Sequence, residues 1–144
     1  MRKPVRDRPL AKADFEQLAQ FRYELRRFLR FSEGVTRQRG ITPLQYQLLL
    51  QLKGFPGREW AAVGELAERL QAHHHGVVAL ISRCEAMGLV RRRVNTADRR
   101  CVEVHLTAKG LRCVTALAIQ HRNELLSLQA ALRMPDLRLA AEEE

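Results

Sequence analysis

Twelve residues, Leu89 to Arg100, carry five arginines and a single aspartate. They read as a strand, Leu89-Val90-Arg91-Arg92-Arg93-Val94, and a polar turn, Asn95-Thr96-Ala97-Asp98-Arg99-Arg100, with a second strand following as Cys101-Val102-Glu103-Val104-His105-Leu106. Alternation puts Val102, Val104 and Leu106 on one face and Cys101, Glu103 and His105 on the other, so the hairpin has an inner and an outer side. Five cations at one tip add little to folding, because like charges across a ladder repel and their side chains stay solvated. Such a hairpin asks for an external anion.

The preceding segment narrows the choice of anion. Gly64 to Leu70 holds strong helix formers, with acid in the first turn and Leu66, Ala67 and Leu70 on one face. A break near Gln71-Ala72-His73 leads to a second helix ending at Gly88, with Val77, Leu80, Ile81 and Cys84 as its buried stripe. Two helices joined by a tight turn, the second of a size that enters a DNA major groove, make nucleic acid the leading partner. The order helix, helix, arginine hairpin, helix predicts a mainly α chain with a winged helix-turn-helix, its small β-hairpin wing flanked by long terminal helices.

Those flanking helices have their own signatures. Between residues 13 and 31, Phe15, Leu18, Leu25, Phe28 and Leu29 recur at helical spacing while Arg22, Arg26, Arg27 and Arg30 fill the opposite face. Thr42-Pro43 starts another helix, since threonine caps free amides and proline suits the first helical position. That helix runs from Leu44 to about Lys53; Phe55-Pro56-Gly57 is a loop, and Trp60 to Val63 leads into the next element. Thr107-Ala108-Lys109-Gly110 opens the final helix, which spans about 26 residues, or roughly 39 Å, before Pro135. A domain of this size cannot cover that length alone, so helices 13–31 and 107–134 are expected to meet a second subunit. Residues 1–12 read as a flexible basic arm, either a solvated tail or a strap for phosphate or a partner subunit. The acidic end Glu142-Glu143-Glu144 reads as frayed.

At 144 residues, 46% of them hydrophobic, the chain fits one domain with a sizeable core. Its net charge of +9 favours a polyanionic partner. No apolar run approaches the ~20 residues of a membrane span, and the N-terminus lacks an apolar signal core, so a cytoplasmic protein without a membrane partner is expected. Cys84, Cys101 and Cys113 are odd in number and far apart, which suits reduced thiols better than a disulfide framework.

Metal binding and catalysis find little support. His73-His74-His75 lacks the i to i+4 spacing of a chelating pair, because position 78 is valine and position 79 alanine. No Gly-rich phosphate loop, nucleophile elbow or His-Glu-x-x-His pair is present, so no metal, cofactor or enzymatic activity is expected. The competing reading is a nonspecific nucleic-acid-binding or architectural protein.

The run Val63-Gly64-Glu65-Leu66-Ala67-Glu68-Arg69-Leu70, the segment Arg83-Cys84-Glu85-Ala86-Met87-Gly88-Leu89-Val90, the wing Asp98-Arg99-Arg100 and the closing Leu106-Thr107-Ala108-Lys109-Gly110 together resemble the MarR family of bacterial transcriptional regulators. The resemblance implies a single MarR-like domain over residues 13–144, with the winged helix-turn-helix lobe at about 42–107. It also implies a homodimeric repressor that binds a pseudo-palindromic double-stranded DNA operator and answers a small aromatic or phenolic effector. Arg100 matches the wing arginine that enters the minor groove, and Asp98 the acid that orients it. His74, His75, Ala79 and Ser82 would face base edges, with the two histidines otherwise solvated. Arg99 joins Arg100 at the wing, and Arg83 suits a phosphate contact or an internal ion pair. Arg91, Arg92 and Arg93 are further candidates, although alternation aims Arg92 away from its two neighbours. Phe28, Tyr46 and Trp60 are candidate pocket residues, although aromatic side chains at such positions are more often core. Gly64, His73 and Val78 stand where relatives carry small hydroxyl residues, which leaves the caps weaker and alters the groove-facing chemistry.

Overall fold

The computed structural model describes residues 9–129 and 133–135. Most of the basic arm, Leu132 of the expected last helix and the acidic end lie outside the described residues. The elements run α1 (Lys12–Gln38), α2 (Pro43–Lys53), β1 (Trp60–Ala62), α3 (Val63–Leu70), α4 (His74–Ala86), β2 (Val90–Val94), β3 (Val102–Leu106) and α5 (Ala108–Leu128). This is a winged helix-turn-helix with long terminal helices. The chain divides into two compact units, Ser32–Arg122 and the residues outside it.

Ser32–Arg122 builds its core from leucine and valine. Leu48, Leu49 and Leu52 of α2, Leu66 of α3, Ile81 of α4 and Leu117 of α5 are fully buried, each contributing roughly 1.5–3 kcal/mol over exposure. Threonine and proline start α2 as expected, and the cap is reciprocal. The Gln45 amide donates to Thr42 Oγ1 at 3.1 Å, and the Thr42 amide donates to Gln45 Oε1 at 3.0 Å.

Four boundaries differ from the sequence expectation, one of them the end of α5, which stops at Leu128 after 21 residues and short of the expected end near residue 134. Helix α1 continues past residue 31 to Gln38, where Val35 and Thr36 are buried and Gly40, at φ 75°, turns the chain out. Trp60–Ala62 is a strand, pairing antiparallel with β3 through Trp60 opposite His105 and Ala61 opposite Val104. The wing is therefore a three-stranded sheet in the order β1-β3-β2. Helix α3 begins at Val63, so its N-cap is Ala62 and not Gly64. No side chain accepts from the first-turn amides at this cap; Glu65 supplies the other half of a capping box, its Oε1 accepting from the Ala62 amide at 3.0 Å.

The turn between α3 and α4 is closed by Gln71, in the left-handed conformation at φ 50° and ψ 49°. The Ala72 amide returns to the Ala67 carbonyl at 3.0 Å, ending α3 within two residues. His73 then stands at the N-cap of α4 without a side-chain bond to it, as the sequence suggested.

The start of α5 is fastened to the end of α4. Thr107 Oγ1 donates to the Gly88 carbonyl at 2.6 Å and accepts from the Gly110 amide at 3.0 Å, while Lys109 Nζ donates to the Met87 carbonyl at 2.8 Å. Gly110 is required here by space: a Cβ at this position would lie 2.0 Å from the Leu89 carbonyl oxygen.

The second unit contains the first part of α1 and the last of α5. Its helical surfaces expose Phe15, Leu18, Tyr23 and Leu29 on α1, and Leu125 and Leu126 on α5. Among the described residues no helix is long and apolar enough to cross a membrane.

Candidate nucleic-acid interface

Burial of Val77, Leu80, Ile81 and Cys84 fixes which side of α4 faces outward. His75, Val78, Ala79 and Ser82, spaced at three, four and seven residues, form one exposed row, with His74 and Arg83 also exposed beside it. The His74 and His75 rings meet edge to face at 6.4 Å between centroids. Thus His74, His75, Ala79, Ser82 and Arg83 all reach solvent on α4. Val78 sits in the middle of them and presents methyl groups to solvent.

The turn at the wing tip is built by short polar side chains. Asn95 Oδ1 accepts from the amides of Ala97 and Asp98, both at 2.9 Å, and the Cys101 amide closes onto the Asp98 carbonyl at 3.0 Å. Asp98 then holds Arg100 twice, accepting from its amide at 3.0 Å and lying 3.5 Å from its guanidinium Nε. The Arg100 side chain is nevertheless 96% exposed. Its orientation is restrained while its donors remain open to an outside acceptor. Arg99 is exposed next to it.

Register separates the three strand arginines. Arg91 pairs with His105 and Arg93 with Glu103, both exposed, while Arg92 pairs with Val104 on the other face. Arg92 turns toward α4. Its guanidinium donates to Glu85 Oε1 at 2.9 Å, to Ser82 Oγ at 2.8 Å and to the Val78 carbonyl at 3.3 Å, and its amide donates to Glu85 Oε2 at 2.9 Å. Arg92 therefore ties the wing to α4. Because Ser82 Oγ accepts from Arg92, its own proton is left to donate outward.

A second polar group, unanticipated from sequence, stiffens the outer side of the wing. Asn95 Nδ2 donates to Glu103 Oε2 at 2.6 Å, and His105 Nε2 lies 2.8 Å from Glu103 Oε1. The hydrogen bond from His105 holds the Glu103 carboxyl below its ordinary value; Asn95 and the charges of His105 and Arg93 add to this against an upward push from desolvation. Such a relay joins side chains ten positions apart, and alternation alone shows only that Glu103 and His105 share a face.

The three aromatic candidates occupy separate settings. Tyr46 is buried and stacks on His121 at 4.4 Å, and His121 Nε2 lies 2.8 Å from Ser32 Oγ. Burial pushes the Tyr46 phenol up. Trp60 lies beneath the Arg58 guanidinium at 3.8 Å and beside His105, and Arg58 is in turn paired with Glu65. Phe28 is half-buried on α1. Among the described residues no group of three or more His, Cys, Asp or Glu side chains is placed to hold a metal ion.

A family model described as MarR family matches residues 39–100. The HTH-type transcriptional repressor MdtR of Bacillus subtilis (strain 168) is 34% identical over 73 residues, covering 51% of this chain and 45% of that protein. The chain spans about half the length of the curated relatives it matches, 45% and 56%. In fold it is similar to AbsC, a MarR family transcriptional regulator from Streptomyces coelicolor, with a TM-score of 0.75, 23% identity, and coverage of 94% of this chain and 93% of that one. It is also similar to a MepR mutant of S. aureus bound to an oligodeoxyribonucleotide, with a TM-score of 0.63, 22% identity and coverage of 84% and 87%. At these identities the structural likeness speaks for the fold alone. The match runs from Arg39 through the helix-turn-helix to the wing arginine Arg100, and over that stretch the chain is similar to the MarR family, whose fold it shares.

Proposed function

We propose that the chain is a sequence-specific DNA-binding transcriptional regulator, a repressor acting as a homodimer on a pseudo-palindromic operator. Helix α4 enters the major groove with His75, Val78, Ala79 and Ser82 toward the base edges, and Arg100 enters the adjacent minor groove. The observation that carries this reading is Arg100 itself. An arginine restrained by Asp98 at a wing tip, yet 96% exposed, is arranged for an acceptor outside the chain. The net charge of +9 supports the same partner, and the MepR structure carries an oligonucleotide on the same fold.

Dimerisation is supported by the exposed Phe15, Leu18, Tyr23 and Leu29 on α1 and by Leu125 and Leu126 on α5. A small apolar effector is supported by an open recess of about 350 Å³ between α2 and α5, lined by Leu50, Val114, Ala118 and Ile119 together with Lys53, Thr115 and Arg122; Phe28, Tyr46 and Trp60 are not in its lining. Release of the operator would follow if the effector prefers a non-binding arrangement of the dimer.

Selection of bound duplexes from a random pool tests the reading. A recovered palindrome with half-sites about one helical turn apart is expected. A pool that stays random, or binding competed away by excess random duplex, would favour a nonspecific or architectural protein.

A further inference from the structure

We propose that Val78 reads the C5 methyl group of a pyrimidine, so that each half-site this chain selects carries a thymine opposite the middle of α4. The inference rests on the DNA-binding reading of α4 and names what that helix reads. In the exposed row His75, Val78, Ala79 and Ser82, the two central side chains carry no hydrogen-bonding atom, so the middle of the face is apolar. Val78 is 36% exposed there, with a polar side chain one turn away on either side. Among the unmodified bases, thymine alone puts an apolar group on its major-groove edge; cytosine and adenine present amines, and guanine presents acceptors.

The valine is also held ready. Branching at Cβ keeps a helical valine in essentially one χ1 rotamer, so its methyl groups stand in a fixed place and lose little freedom on contact. Arg92 donates to the Val78 carbonyl at 3.3 Å and to Ser82 Oγ at 2.8 Å, which fastens this turn of α4 to the wing. Ser82 lies about 5–6 Å along the same face and keeps its proton to donate. Thymine answers both groups, because its O4 accepts a hydrogen bond beside the methyl. Cytosine carries an amine at that corner, which would lose water against the valine and gain no partner.

The test takes the full chain and the duplex recovered from the random pool. Each thymine in turn, together with its symmetry mate, is replaced by deoxyuridine, which keeps O4 and the pairing and lacks the methyl. At one position affinity should fall about fourfold per half-site, and so about fifteenfold for the pair, the size of one buried carbon. At that position 5-methylcytosine should bind tighter than cytosine by a similar factor, with both weaker than thymine. Val78→Ala keeps a good helix former and should hold its melting temperature, while its preference for thymine over uracil shrinks toward none.

Equal affinity for thymine and uracil at every position, or a selected half-site without thymine, would overturn the proposal and leave the DNA-binding reading intact. So would a preference undiminished in Val78→Ala, which would trace the methyl effect to duplex shape or to another side chain. If the pool yields no preferred duplex at all, the DNA-binding reading fails and this inference falls with it.

Discussion

The Glu85 carboxylate accepts from both the side chain and the backbone amide of Arg92, each at 2.9 Å. One acid on α4 thereby holds a wing residue at two points and sets how the wing stands against the helix.

The pair is 30% and 41% exposed, between the surface and buried regimes. Replacing Glu85 with alanine should lower stability by about 1 kcal/mol in denaturant titration. Lysine in place of Arg92 should recover little, because an ammonium cannot span Glu85, Ser82 and Val78 as the planar fork does. An unchanged midpoint for Glu85→Ala would remove the fastening role.

Arg100→Ala should leave the unfolding midpoint where it is, since the side chain is almost wholly in solvent. Operator affinity should fall by about 1–3 kcal/mol, and the salt dependence should lose about one unit of slope. Full affinity in this variant would exclude the wing from the interface.

At Gly110 the smallest possible change should be severe. An added methyl meets the Leu89 carbonyl oxygen, part of the backbone, at 2.0 Å, so Gly110→Ala should cost about 3 kcal/mol or more. Thermal unfolding reads this directly, and a wild-type melting temperature would show that α5 stands off from Leu89.

Acid should loosen the wing. The folded-state value of Glu103 lies below its ordinary 4.5, chiefly through the hydrogen bond with His105. The carboxylate's contribution is therefore fully present above 4.5 and is lost as pH falls through the lower folded value. Glu103→Gln should weaken the fold at neutral pH and flatten the acid limb of its stability profile. Identical profiles for the two proteins would dismiss the relay.

Burial pushes the Cys84 thiol up to about 11, with Cys113 nearby adding to the effect. Native protein at neutral pH should leave Cys84 unalkylated while the half-exposed Cys101 reacts, and unfolding should equalise them. Labelling of Cys84 in the folded state would contradict its place in the core.

What the sequence disclosed was local in origin. Thr42-Pro43, the valine alternation of β3 and the stripe from Val77 to Cys84 each announce their element within a few residues, and each stands as expected. Strand β1 did not, because three residues are too few to show a period and its existence depends on the free edge of β3 some forty positions away. The extension of α1 was hidden by Gly34 and by a thinning of large apolar residues after Phe31, although Val35 and Thr36 are buried. At the site, the opposed direction of Arg92 was legible from strand alternation, whereas its partners Glu85 and Ser82 were not. Alternation gives a direction; only the packing of β2 on α4 supplies what lies along it.

The moorings at Met87 and Gly88 bear on how this molecule moves. Lys109 and Thr107 grip consecutive carbonyls just past α4, and Gly110 rests against the next one, that of Leu89. Sliding the first turn of α5 along that stretch would strip two carbonyls of their donors and drive backbone into backbone. The joint has no slack, so a displacement at its root travels onward as a rigid stroke.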